Sequence, residues 1–119
     1  MKVLLRGVHL SLSDGLKAYV QEHLVEHVER LYDDEAAEID ISLVDNNGPK
    51  GGMDKDCRVT VRLPALAGIH VAETAETLHQ AIDAVRDRLV TTLKRTLEKR
   101  RDVANQGLPE DVNANVPTY

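Results

Sequence analysis

Apolar positions recur along this chain with two different periods. Between Thr77 and Arg101 the residues Leu78, Ile82, Val85, Leu89, Leu93 and Leu97 follow one another at steps of four, three, four, four and four. That spacing traces one stripe of an α-helix. Thr77 followed three residues later by Gln80 fits a capping box, so the helix is predicted to start there. Carried to Arg101 it would be about 36 Å long. Leu16–Tyr32 repeats the pattern with Leu16, Val20, Leu24, Val28 and Leu31. Ser13 is its expected N-cap, and Asp33-Asp34-Glu35 end it.

Four other segments read as strands. Lys2–Val8 is short, apolar and partly β-branched. Glu38–Val44 alternates Ile39, Ile41 and Leu43 with Asp40 and Ser42, and Asp56–Leu63 alternates Cys57, Val59, Val61 and Leu63 with Arg58, Thr60 and Arg62. Such alternation marks half-buried strands. Ile69–Ala75 is the fourth. Asp45–Lys55, with three Gly, one Pro and two Asn, reads as a mobile loop, and Pro64–Gly68 as a turn. The order is β-α-β-β-β-α. Short links among the last three strands favour antiparallel pairing. Single-stripe helices can share one face of a sheet. The expected fold is therefore α+β, a four-stranded sheet with two helices packed on one face. The sheet's other face would show Asp40, Ser42, Arg58, Thr60 and Arg62 to water. Residues 1–101 form one domain in this reading, and 102–119 a disordered tail, polar and without periodicity.

Composition narrows the chemistry. The chain has 119 residues and no Phe or Trp, so its core rests on Leu, Val, Ile and Ala. A single cysteine, Cys57, excludes an internal disulfide and a multi-thiolate metal site, and suits a reducing compartment. Neither a secretory leader nor a membrane-length apolar run is present, so a cytoplasmic location is expected. The net charge of −5 argues against a generic nucleic-acid binder, but the charge is unevenly spread. Asp14–Glu38 holds eight acids and two bases; Arg88–Arg101 holds six bases and one acid.

At about 100° per residue, Arg88, Arg95 and Lys99 fall on one flank of the long helix's apolar stripe. Asp83, Asp87, Lys94, Glu98 and Arg101 form a mixed face on the other side, able to pair with itself. Cations near a helix C-terminus are favourable for the macrodipole, which accounts for the last turn but not for Arg88. A cationic line along a helix suits a phosphate backbone. The scarcity of aromatic rings argues against base stacking, so RNA would be read by shape and phosphate.

Other constellations are weaker. His23-Leu24-Val25-Glu26-His27 matches the H-x-x-E-H zinc motif. A hydrolytic site also needs a third ligand and a cleft, so these residues are read as boundary histidines on an acidic helix, and no metal or other cofactor is expected. Cys57 is in phase with Val59, Val61 and Leu63 and should face the core. Gly48, Gly51 and Gly52 form no phosphate-binding glycine motif. No catalytic constellation emerges, and no enzyme is predicted.

Several stretches resemble one family. Gly7-Val8-His9-Leu10, Ser13, Leu16–Val20, Val59–Pro64 and, most specifically, Leu78-His79-Gln80-Ala81-Ile82-Asp83 with Arg88-Leu89 and Leu93 resemble the bacterial ribosome hibernation-promoting factors, or ribosome-associated translation inhibitors. The resemblance covers roughly residues 2–101. It implies a short protein, similar in fold to double-stranded-RNA-binding domains, that occupies the decoding channel of the small ribosomal subunit and keeps idle ribosomes intact. It also implies ribosomal RNA contacts through Arg88, Arg95 and Lys99, with Lys94, Arg100, Arg101, Arg58 and Arg62 as lesser candidates. The expected partner is the ribosome, with no membrane and no small-molecule substrate, and a monomer is expected. The chain departs from the family in carrying Thr91-Thr92 where Arg-Gln is common, in its acidic first helix, and in lacking the C-terminal domain of long members. The acidic helix supports an alternative: a protein-interaction module that binds a basic partner.

Overall fold

The computed structural model describes residues 1–46, 54–64 and 68–106, with side chains up to Lys99. β1 (Lys2–Val8) leads into α1 (Asp14–Val20), which continues through a π-helical turn (Gln21–Val25) into α2 (Glu26–Leu31). β2 (Glu38–Asp45), β3 (Lys55–Arg62) and β4 (Ile69–Ala75) follow, then α3 (Leu78–Gln106). The sheet order is β1-β2-β3-β4. β1 runs parallel to β2, while β2–β3 and β3–β4 are antiparallel. The parallel pair follows from the helical crossover between β1 and β2, since a strand reached through a helix returns in the same direction. This is the expected α+β architecture, with α1–α2 standing as the first of the two helices.

Alternation explains the layering. Ile39, Ile41, Leu43, Cys57, Val59, Val61, Ile69 and Val71 point to one face and are buried. They meet Val20, Leu24, Val25 and Val28 of the first helix and Ala81, Ile82, Val85, Leu89 and Leu93 of α3 in one cluster. Each fully buried Leu or Ile contributes about 1.5–3 kcal/mol relative to an exposed side chain. Val25, which the four-residue spacing passes over, is buried beside Leu24. The wider π turn spreads one extra residue over that stretch and brings both inward.

Ends and turns are set locally. Ser13 accepts a hydrogen bond from the Leu16 backbone N–H at 3.1 Å, and Thr77 accepts one from the Gln80 N–H at 3.1 Å. After β1 the chain turns at His9, whose φ is 62°. A Cβ on Gly7 would lie 2.9 Å from Leu10 Cδ1 and 3.0 Å from the Leu10 carbonyl oxygen, so the turn folds back onto a position only glycine fits.

Several expected boundaries move, the first helix running from Asp14 to Leu31 rather than from Leu16 to Tyr32. β2 and β3 take in Asp45 and Lys55, shortening the predicted loop, whose residues 47–53 lie outside the described residues. α3 continues past Arg101 to Gln106. Residues 102–106 contain neither Gly nor Pro, and the first such residue is Gly107. Residues 107–119 lie outside the description. Among the described residues, no helix is long and apolar enough to cross a membrane.

Candidate nucleic-acid interface

The basic residues singled out from the sequence occur on two surfaces, and the structure treats them differently. On the open sheet face each predicted cation has an acidic partner. Arg58 pairs with Asp56 at 3.1 Å, Arg62 with Glu38 at 3.2 Å, and Arg6 with Asp40 at 3.3 Å. The cross-strand register places Arg62 opposite Glu38, so that pair follows from strand alignment. Asp56 also accepts from the Thr74 hydroxyl at 2.8 Å and from Asn46 at 3.3 Å. The Thr74 bond above all, with Asn46 and Arg58 adding to it against burial, holds its carboxyl below the ordinary aspartate value. Thr60 and His70 share a further hydrogen bond of 2.9 Å. At the sheet's end Lys55 binds Asp45 at 2.9 Å and Asp54 at 3.0 Å, and these hydrogen bonds raise its pKa.

On α3 the buried stripe of Ile82, Val85, Leu89 and Leu93 fixes the rotation of the helix. Arg86 lies between Asp83 and Asp87, at 3.6 and 3.2 Å, a self-paired face of the kind expected, though centred on a residue the projection did not single out. Arg88 stands on the opposite flank and reaches the edge strand. Its Nη1 donates to the Ala72 carbonyl at 3.2 Å and pairs with Glu73. Further along, Lys94, Arg95 and Lys99 are exposed. Among the described residues they form no ion pair. The predicted line is therefore present as a helix flank, with its first member engaged by β4 and its later members open. Arg100 and Arg101 lie on α3, but their side chains fall outside the description. Thr91 and Thr92 take up helix geometry: Thr91 donates to the Asp87 carbonyl, and the Thr92 carbonyl accepts from Thr96, both at 3.0 Å.

The first helix carries a cluster that apolar periodicity does not reveal. Tyr19 donates to both Asp83 carboxylate oxygens, at 2.9 and 3.0 Å. Its ring stacks on His23 with centroids 4.0 Å apart and meets His79 edge-on at 4.3 Å. Burial, then the bond and charge of Asp83, raise the phenol's pKa. This group locks the first helix to α3. It also takes up His23, one half of the H-x-x-E-H match. His27 keeps a buried Nδ1 with no hydrogen-bond partner among the described residues. Among the described residues no three His, Cys, Asp or Glu side chains are grouped to hold a metal ion. Cys57 is fully enclosed, and burial pushes its thiol up to about 12, leaving no thiolate for nucleophilic attack at neutral pH.

A mixed sheet with two helices on one face, and three exposed basic side chains without ion pairs among the described residues towards the end of the last helix, outlines a domain able to dock on a polyanion. The comparisons with known proteins place it more closely. The chain belongs to the family described as Sigma 54 modulation protein / S30EA ribosomal protein, whose model matches residues 3–101. Among solved structures, it is similar to the N-terminal domain of Protein Y from Thermus thermophilus, with 28% identity, a TM-score of 0.66, and coverage of 80% of this chain and 98% of that one. It shares its fold with a ribosomal subunit interface protein from Coxiella burnetii, with 21% identity, a TM-score of 0.63, and coverage of 80% and 96%. A comparison with curated protein sequences returns no match.

Proposed function

We propose that this protein is a ribosome-binding translation inhibitor of the hibernation type. It acts as a cytoplasmic monomer that occupies the decoding channel of the small subunit and excludes messenger and transfer RNA without catalysing a reaction. The observation that carries this reading is the exposed, unpaired set Lys94, Arg95 and Lys99 on α3 of a chain in this family. Arg95 and Lys99 line up with ribosomal RNA phosphates along the flank that Arg88 begins, and Lys94 adds positive charge from the neighbouring face. Arg58 and Arg62 add contacts by exchanging carboxylate partners for phosphates. Exposed ion pairs are worth only about 0–1 kcal/mol, so such an exchange costs little. Arg100 and Arg101 continue the basic surface in sequence. Residues 1–101 act in this reading as one domain.

The test is co-sedimentation with ribosomes on a sucrose gradient at low and moderate salt. Comigration that weakens as salt rises is expected, because displaced counterions set that dependence. Arg88→Glu combined with Arg95→Glu should abolish association while the circular-dichroism spectrum stays native. Retained binding by that variant rejects the assigned surface. The outer residues Glu22, Glu26 and Glu29 carry no ion pair among the described residues, which keeps the basic-protein partner in view. A pull-down that survives ribonuclease but is lost in Glu22→Lys/Glu26→Lys would favour it.

A further inference from the structure

Glu73 occupies an unusual place for an acid. It continues the inward alternation of β4 after Ile69 and Val71, and its register partner is the buried Cys57. Its side chain therefore lies on the helix side of the edge strand. An acid there needs a cation, and Arg88 supplies it from above. The same guanidinium donates to the Ala72 carbonyl, so its Nη1 is committed to β4. Its Nε and Nη2 make no bond among the described residues, and the side chain is 61% exposed against 26% for Glu73. Arg88 thus faces solvent with its charge already offset, while Lys94, Arg95 and Lys99 on the same helix have no such partner among the described residues.

We propose that Glu73 is a built-in competitor for RNA at Arg88, setting how many phosphates the helix flank engages. This rests on the RNA-docking reading above. While the pair holds, a phosphate arriving at Arg88 meets a neutralised group and releases no counterion on its account. Freed from the pair, Arg88 adds one full phosphate contact to the line.

Glu73→Gln keeps an acceptor for Nη1 and removes only the charge. Ribosome binding by the full chain, measured at about 50 and about 200 mM salt, reads the effect. One added phosphate contact steepens the log–log salt slope by about 0.9, so the variant should bind more tightly, with an advantage about 3.5-fold larger at the lower salt. Glu76→Gln removes an equal charge from an exposed neighbour and should leave the slope unchanged. Glu73→Asp draws the carboxylate back by one methylene and should shift affinity in the same direction as Gln, which keeps the test open if Gln disturbs folding. Equal slopes for wild type and the Glu73 variants, or the same steepening in Glu76→Gln, overturn the competitor role while leaving RNA docking intact. Absence of ribosome binding by every chain overturns both.

Discussion

Cys57 offers a measurement of the core that needs no ligand. Its thiol sits in the middle of the sheet with no solvent exposure, and burial raises it from 9.0 to about 12. Between those values an unfolded chain has lost the thiol proton and the folded chain has kept it. The native state then binds more protons, so stability falls as pH rises through this window. Each pH unit within it costs about 1.36 kcal/mol, so moving from about pH 8 to about pH 10.5 should remove about 2 kcal/mol through this group alone. Cys57→Ala removes the titrating group and costs a fixed amount of packing, about 1–2 kcal/mol, at every pH. Urea unfolding of both chains at the two pH values separates the effects. The wild-type midpoint should drop more steeply than that of Cys57→Ala, and the gap between the chains should narrow or invert at the higher pH. Ionising tyrosines and lysines are common to both and cancel in the comparison. Parallel losses in the two chains would show that the thiol ionises freely in the folded state, and the enclosed position of β3 would be wrong.

Two further substitutions test the local account. Gly7→Ala forces a Cβ against the Leu10 carbonyl oxygen, which belongs to the backbone and cannot swing aside; a loss of about 1–3 kcal/mol is expected by thermal or urea unfolding, and a neutral result would show that the turn after β1 is free to shift. Tyr19→Phe deletes the hydroxyl that bridges the first helix to Asp83 and should cost about 1 kcal/mol. It should also flatten the stability loss above pH 10, because a phenol whose pKa is raised in the folded state favours folding below its ordinary value and forfeits that advantage as pH climbs through the raised one.

The elements themselves were legible because they are built from burial. Alternation on β2 and β3 and the stripe on α3 name the residues that the structure encloses, and Ser13 and Thr77 cap the helices as their spacing implies. What remained hidden depends on meetings between distant segments. The helix between β1 and β2 implies their parallel direction, but that β1 lies beside β2 at the sheet's edge has no marker in either strand. The π turn has none either, beyond Val25 lying next to Leu24. The interface shows the same division. Arg88, Arg95 and Lys99 share a flank by arithmetic alone, but that Arg88 is held by Glu73 follows only from how α3 crosses β4. Glu73 did leave a trace: an acid in phase with Ile69 and Val71 is a side chain that must find a partner. Likewise Arg62 looks free when β3 is read alone and meets its acid only when Glu38 of β2 is set beside it, whereas Asp56, two residues from Arg58 on the same strand, was visible all along.

The placement of charge on either side of α3 has a consequence for motion before contact. One flank of that helix leans toward β4 and carries Arg88, Arg95 and Lys99; the other meets the first helix through Asp83 and Tyr19. That first helix also carries Glu22, Glu26 and Glu29. A polyanion would pull on one side of the molecule and push on the other, once it is within the Debye length of about 8–10 Å at physiological salt. The pair of forces is a torque. On the proposed reading, a protein charged in this way would turn while still diffusing and arrive with the α3 flank leading. In this light the acidic helix is less an obstacle to docking on a phosphate surface than a rudder for it.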